Sequence, residues 1–259
     1  MKLKALLAVV LAFGFSSVAF AEENTEAKHP EPQSWASDGV FGKFDRQQLQ
    51  RGYQVYKEVC SACHEMHLVA FRNLSQPGGP EFSEAQVKAL SATFKFPSTD
   101  DKGEPNERTG TPADHFPSSF PNEKAARAAN NNALPPDLSV IAKARHGGPD
   151  YIYSLITGYT DAPADFKLLP GLNYNPYFEG HQIAMPPPLT SDGQVTWPPD
   201  NPPATKQQMA KDVAAFLIWT AEPKLEERKS LGVRVMIFLT ALSILLFFAY
   251  KRLWRDVDH

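Results

Sequence analysis

The chain has 259 residues, of which 42% are apolar and 21% are charged, close to the averages of folded proteins. A formal net charge of -3 excludes a strongly basic nucleic-acid-binding protein, and a count of two cysteines excludes a scaffold held by several disulfides. The 23 prolines are about twice the usual share. This excess predicts long irregular loops.

The beginning of the chain has the pattern of a secretion signal. A basic start is followed by an apolar run over residues 5–15 and a small-x-small cleavage pattern over residues 19–21. The apolar run is too short to span a bilayer. We therefore expect residues 1–21 to be a removed signal peptide and residues 22–229 to form an exported domain.

The first helix of that domain is predicted from its apolar spacing. Apolar or small residues recur at i, i+3, i+4, i+7 and i+10, which is the spacing of one helix face; they are Leu49, Gly52, Tyr53, Tyr56 and Val59. The helix leads directly into the two cysteines.

The two cysteines belong to a Cys-x-x-Cys-His motif formed by Cys60, Cys63 and His64. Two thiols at this spacing can add to the two vinyl groups of a haem, and the adjacent histidine then lies beneath the iron. A thioredoxin-like site would not require the histidine. A zinc site would require further ligands of suitable spacing. We therefore predict a covalent haem, and since the motif occurs once, a single one.

The second axial ligand must come from elsewhere in the chain. Met185 is the leading candidate, because Pro186, Pro187 and Pro188 follow it and fix the backbone that carries the thioether. His181 is the alternative ligand, and Met185 could instead fill space in a loop. Met66 and His67 follow His64 too closely to reach the other face of the haem. Met209 lies on a helix stripe that is expected to face the core, and Met236 lies in the apolar C-terminal span described below.

A second long helix is predicted near the end of the exported domain. Thr205 can cap it, apolar residues from Met209 to Thr220 line one face, and Pro223 follows its end. No strand-like alternation of any length occurs. The domain is therefore predicted to be mainly α, with N- and C-terminal helices around long proline-rich loops, as in a c-type cytochrome.

The chain also contains a candidate membrane anchor. Residues 231–250 carry a single charge, that of Arg234, and a helix of this length spans about 30 Å, the thickness of the hydrocarbon core. Basic residues follow the span, which favours a cytoplasmic tail. We expect an anchor over residues 230–250 and a cytoplasmic tail over residues 251–259.

Several segments in order resemble cytochrome c1, the haem subunit of ubiquinol–cytochrome c reductase, and most of all its bacterial form. The resemblance runs from about Gly52 to the anchor, and its segments are Cys60 to His64, Leu134 to Ser139, Arg145 to Tyr151, Gly171 to Phe178 and Met185 to Leu189. It implies that His64 and Met185 are the axial ligands and that Cys60 and Cys63 form the thioethers.

The resemblance also implies roles for residues that no pattern marks on its own. Arg145 matches the arginine that pairs with a haem propionate, Tyr151 matches an aromatic residue beside the haem, and Pro135 and Pro136 match the pair that lines its face. An exposed acidic loop over residues 97–108 is similar to one placed near the cytochrome c side.

The implied function is that of a monohaem electron carrier in the cytochrome bc1 complex, a reductase in which this chain has no quinol site of its own. It would pass single electrons from the Rieske iron–sulfur protein to a soluble or tethered c-type cytochrome, beside cytochrome b in a dimeric complex. The haem domain would lie in the periplasm of a bacterium, on the inner membrane. The alternative is a membrane-tethered cytochrome c serving a terminal oxidase or a denitrification reductase.

Overall fold

The computed structural model describes residues 26–256, so the signal peptide expected over residues 1–21 lies outside the described part. Within that part the chain is mainly helical, with long irregular segments between the elements, as predicted. The helices are α1 (Arg46–Glu58), α2 (Glu84–Ser91), α3 (Glu123–Ala129), α4 (Ile141–Ala144), α5 (Gly148–Thr157), α6 (Lys206–Ala221) and α7 (Leu225–Leu253). The strands are β1 (Lys95–Thr99), β2 (Pro105–Thr109), β3 (Asn173–Tyr174) and β4 (Gln182–Ile183).

The core is built on the crossing of α1, the first helix, and α6, the last helix before α7. The predicted apolar face of α1 is buried, including Leu49, Tyr53 and Tyr56. Gly52 allows the close approach, because a Cβ there would lie 2.1 Å from the backbone oxygen of Asp212. The sequence pattern that predicts a helix therefore also contains the residue that lets α6 pack against it.

A buried ion pair lies at this crossing. The guanidinium of Arg51 in α1 donates to both carboxylate oxygens of Asp212 in α6, at 2.7 and 3.2 Å. Gln208 donates to the same carboxylate at 2.8 Å, and Asn201 accepts from the other end of the guanidinium at 3.0 Å. All polar groups of the pair thus have partners in a region closed to water.

The predicted cap of α6 is present. The Thr205 hydroxyl accepts from the backbone N–H of Gln208 at 3.1 Å, and α6 ends at Ala221, before Pro223. Its buried residues include Met209, Phe216 and Trp219. A side-chain oxygen at the N-cap satisfies a backbone donor that would otherwise have no partner in the helix.

Two antiparallel hairpins were not expected from the sequence. β1 pairs with β2 in register from Lys95 opposite Thr109 to Thr99 opposite Pro105, and β3 pairs with β4. The first hairpin takes in much of the segment expected to be an exposed loop. Only Phe96 and Ser98 are half-buried in it, and Phe96 packs against the core. One aromatic side chain is too little to produce an apolar alternation in the sequence. The segment is exposed as predicted, but it is a hairpin.

The last helix fits a single-pass membrane anchor. α7 is 29 residues long, with a mean hydropathy of 2.3 in its most apolar window and none of that window buried. It begins before and ends after the span expected from the sequence. Its first turns, which precede the apolar stretch, contact the exported domain: Glu226 receives two hydrogen bonds from Arg46, at 2.6 and 2.9 Å. The first turn of α7 is therefore attached to the surface of the domain that precedes it.

Candidate functional site

The Cys-x-x-Cys-His motif forms a tight turn at the end of α1. Residues Cys60–Ala62 are a 3-10 turn, in which the Cys60 carbonyl accepts from the N–H groups of Cys63 and His64 at 3.1 and 2.9 Å. Both cysteines are free thiols, Cys60 half-buried and Cys63 exposed. Burial raises the pKa of the Cys60 thiol to about 12. The turn thus presents two unpaired thiols and an imidazole within one short segment.

The imidazole of His64 is oriented by a backbone group from a distant part of the chain. Its Nδ1 lies 2.8 Å from the carbonyl oxygen of Pro136. Because a carbonyl can only accept, Nδ1 carries the proton and Nε2 carries the free lone pair. Burial also lowers the pKa of His64 below its ordinary value. Burial therefore favours the neutral ring and outweighs the bond to Pro136, which acts in the opposite direction on the pKa. That bond fixes the tautomer and leaves Nε2 ready to bind a metal.

The segment that contains Pro135 and Pro136 is tied to the motif along its length. The Leu138 N–H donates to the Glu65 carbonyl at 2.9 Å, and the Asp137 carboxylate accepts from both the backbone N–H and Nδ1 of His67, at 2.8 and 2.6 Å. Pro136 therefore acts on His64 through its carbonyl, a role that sequence reasoning missed. A contact between residues so far apart in sequence leaves no local pattern.

Met185 follows the β3–β4 hairpin, and its backbone is fixed by two side chains. Its carbonyl accepts from the Tyr159 hydroxyl at 3.0 Å and from the Asn173 amide at 3.3 Å. Met185 itself is half-buried. Burial raises the pKa of Tyr159 far above its ordinary value, so its hydroxyl is a permanent donor. Sequence reasoning missed Tyr159, which no motif marks; Asn173 lies in one of the segments that carry the resemblance.

The other candidate ligands occupy different environments. Met66 and Met209 are completely buried in the apolar core, while Met236 is exposed on α7. His67 is engaged by Asp137. His181 is buried between aromatic rings, with ring centroids 6.1 Å from Phe166 and 5.9 Å from Tyr174. Within the described residues, Met185 is thus the methionine that lies outside both the core and α7.

Arg145 and Tyr151 lie on either side of the turn that joins α4 to α5. Arg145 follows α4, is exposed, and forms no ion pair with any side chain in the described part of the chain. Its charge lowers the pKa of Tyr151, although burial is the larger effect and raises it. The turn requires Gly147, with φ of +78° and a would-be Cβ 2.8 Å from Pro30. The turn leaves the guanidinium available to an anionic group.

Comparison with known proteins agrees with this arrangement. A family model described as the cytochrome C1 family matches residues 35–257. The chain belongs to the cytochrome c1 family. A cytochrome c1 of Rhodospirillum rubrum is 48% identical over 99% of this chain and 98% of its own length. The mitochondrial cytochrome c1 haem protein of Saccharomyces cerevisiae is 47% identical over 92% of this chain and 77% of its own length.

A third relative is larger. The cytochrome b/c1 protein of Bradyrhizobium diazoefficiens is 45% identical over 98% of this chain, which spans 40% of that relative. The predicted membership in the cytochrome c1 family is thus confirmed by bacterial and mitochondrial relatives alike.

Cytochrome c1 proteins bind haem c covalently, and the donor groups of this chain fit that cofactor. The turn at Cys60 and Cys63 supplies two unpaired thiols, and His64 has its Nδ1 already satisfied by Pro136. A ligand imidazole whose second nitrogen is held by a backbone carbonyl is the usual arrangement at metal sites. The prediction of one haem c as the cofactor is confirmed at the level of the family.

Proposed function

We propose that this cytochrome c1 transfers single electrons through one haem c, attached at Cys60 and Cys63, with His64 and Met185 as the axial ligands. The chain is the haem subunit of a membrane-bound bc1 complex, a reductase, and the alternative of a tethered cytochrome serving an oxidase or denitrification reductase is not favoured. The observation that carries the assignment of His64 is the hydrogen bond from its Nδ1 to the Pro136 carbonyl, because it occupies Nδ1 and leaves Nε2 for the iron.

Each residue of the site has a distinct task. His64 offers a neutral imidazole whose orientation is set before haem is attached. Met185 offers a thioether on a backbone fixed by Tyr159 and Asn173. When bound, the haem supplies the one-electron couple between ferric and ferrous iron, and histidine–methionine ligation raises its potential. A ligand pair that is positioned in advance keeps the same coordination in both oxidation states.

We propose that the remaining predicted residues shape the haem pocket. The Pro136 carbonyl contacts the His64 ring at Nδ1, and Pro135 precedes it on the same segment. Arg145 offers two aligned N–H donors to a haem propionate, which is a favourable pairing for a guanidinium. Tyr151, half-buried one turn into α5, provides an aromatic wall.

The specific partners follow from the family and from charge. We propose that the electron donor is the Rieske iron–sulfur protein, that the acceptor is a soluble or tethered c-type cytochrome, and that cytochrome b is a neighbour in a dimeric complex. One relative, from Candida albicans, is called a cytochrome b-c1 complex catalytic subunit. No quinol site is assigned to this chain. Acidic residues outnumber basic ones in the chain, 29 to 26, and an acidic excess suits a basic acceptor.

The orientation in the membrane is proposed from the flanks of α7. The basic residues Lys251 and Arg252 lie in its last turn, and positive charge at one end of a span favours the cytoplasmic side. The haem domain would then lie in the periplasm of a bacterium, with the inner membrane holding the anchor and the last residues inside the cell. The expected removal of residues 1–21 agrees with this direction.

The ligand assignment is tested by Met185→Leu in the full-length protein. We expect loss of the methionine–iron charge-transfer band of the oxidised protein and a lower reduction potential, with the haem still attached. Met66→Leu is the matched control, since Met66 lies in the core, and it should keep both properties. If Met185→Leu keeps the band and the potential, another methionine is the ligand. If the parent protein itself lacks the band, His181 becomes the candidate ligand and His181→Phe is the next variant.

A further inference from the structure

A short loop before α1 exposes two large apolar side chains. In the turn over residues 36–43, Val40 is 63% exposed and Phe41 is 82% exposed. The residues on either side are different, since Trp35 and Phe44 are buried in the core. An exposed aromatic residue next to an exposed aliphatic one marks a surface that meets an apolar partner.

The loop is held in shape by its own hydrogen bonds. The Lys43 N–H donates to the Ala36 carbonyl at 3.0 Å, which closes the loop. The Asp38 carboxylate accepts from the Trp35 N–H at 2.9 Å, and the Asp38 N–H donates to the Trp35 carbonyl at 3.0 Å. Val40 and Phe41 are therefore presented on a closed turn.

The contacts of the loop with α7 show in which direction its tip extends. Where the loop enters α1, the Phe44 N–H donates to Glu226 at 2.8 Å. Nearer the tip, Lys229 donates to the carbonyls of Ser37 and Gly42. Lys229 lies about 4.5 Å further along the helix axis, towards the apolar stretch. The backbone on both sides of the tip is therefore held by a residue two positions before that stretch.

The exposure pattern of α7 agrees with this position. Val233 follows Glu226 and Lys229 on the same helix face and is half-buried, whereas Leu231 and Gly232 on other faces are exposed. The half-buried face of α7 thus extends from Glu226 into the first turn of its apolar stretch.

We propose that Val40 and Phe41 insert into the boundary between lipid headgroups and acyl chains, beside the start of α7. The proposal rests on α7 being the membrane anchor, because the bilayer that surrounds α7 is the apolar phase at this level. Aromatic and aliphatic side chains are favoured at that depth. Lys43, exposed beside the tip, places a positive charge where anionic lipid headgroups lie. The domain would then meet the membrane at two points.

The test uses spin labels on the full-length, haem-attached protein in vesicles of phosphatidylethanolamine and phosphatidylglycerol. The two native cysteines are consumed by the haem, so a single added cysteine takes the label. Val40→Cys reports the tip and leaves Phe41 in place. Asp101→Cys, in the exposed turn between β1 and β2, is the aqueous control, and Leu245→Cys is the control for α7. The measured quantity is the ratio of two collision rates of the spin label. One is with oxygen, which enters lipid, and the other is with a charged nickel chelate, which does not.

We expect the oxygen-to-nickel ratio at residue 40 to be several-fold higher than at residue 101, and Phe41→Asp in the same labelled protein to lower it. Equal ratios at residues 40 and 101, with residue 245 in lipid, would overturn the proposal and leave the anchor intact. A water-like ratio at residue 245 would refute the anchor and the proposal together. A tip that is exposed to water in vesicles and shielded from both reagents in the assembled complex would assign it to a protein neighbour and overturn the lipid assignment.

Discussion

Removal of Arg51 would test how α1 and α6 are held together. In Arg51→Met the Asp212 carboxylate, which is completely buried, keeps Gln208 as a donor and loses two bonds to a cation. Breaking one half of a buried ion pair costs about 3–5 kcal/mol. This lowers the folded-to-unfolded ratio by roughly two to four orders of magnitude.

The assay is guanidinium unfolding of the detergent-solubilised, haem-attached protein, followed by far-ultraviolet circular dichroism. The control is the double variant Arg51→Met with Asp212→Leu, which replaces both charges by apolar groups. Such replacements are often close to neutral, so the double variant should be more stable than Arg51→Met alone. If Arg51→Met costs under about 1 kcal/mol, which is typical of an exposed pair, or if the two changes simply add, the reasoning is wrong.

The pH dependence gives a second readout of the same pair. Burial raises the pKa of Asp212 in the folded protein, an effect larger than the opposing one of Arg51, and loss of Arg51 raises this pKa further. A folded-state pKa above the unfolded value gives stability that is present at low pH and is lost as pH rises through the folded-state pKa. Arg51→Met should therefore be less destabilised at pH 5 than at pH 8, and the double variant should lose this pH dependence.

Three further predictions concern the haem site and its surroundings. Arg145→Gln removes a positive charge that disfavours ferric iron, so a redox titration should show a lower potential with the haem still attached; an unchanged potential would argue against contact with a propionate. Four acids of the β1–β2 segment can be replaced by amides: Asp100, Asp101, Glu104 and Glu107. The variant should transfer electrons to a basic cytochrome more slowly at low salt and almost normally at high salt, because charges are screened over about 8 Å at physiological ionic strength. Equal stopped-flow rates for variant and parent at low salt would place the acceptor elsewhere. Tyr159→Phe removes a hydrogen bond to the Met185 carbonyl, which is worth about 0.5–1.5 kcal/mol. In a denaturant titration the methionine–iron band should therefore be lost at a lower midpoint concentration than in the parent. Tyr153→Phe is the control and should leave this midpoint unchanged.

The sequence predicts those parts of the fold that depend on local spacing. The buried face of α1 follows from a run of five positions, and the start of α6 follows from one hydroxyl, that of Thr205. The helix predicted to lead into the Cys-x-x-Cys-His motif likewise ends directly before it. Each of these is decided by residues within a few positions of one another.

What the sequence alone does not predict depends on contacts between distant segments. The bond from His64 to Pro136 joins residues 72 positions apart, and the donors to the Met185 carbonyl lie 26 and 12 positions before it. The β1–β2 hairpin escapes prediction for a different reason, since only Phe96 and Ser98 are half-buried in it and a single aromatic residue gives no alternating pattern.

The ion pair between Arg46 and Glu226 attaches the first turn of α7 to the domain that precedes it. Three residues separate α6 from α7, and the guanidinium that holds Glu226 also contacts Glu81 at 2.8 Å. Because the connection is short and α7 is held by ion pairs, the domain has a fixed position relative to α7. In the proposed electron transfer, the distance between the haem and either partner would then change only when the partner moves.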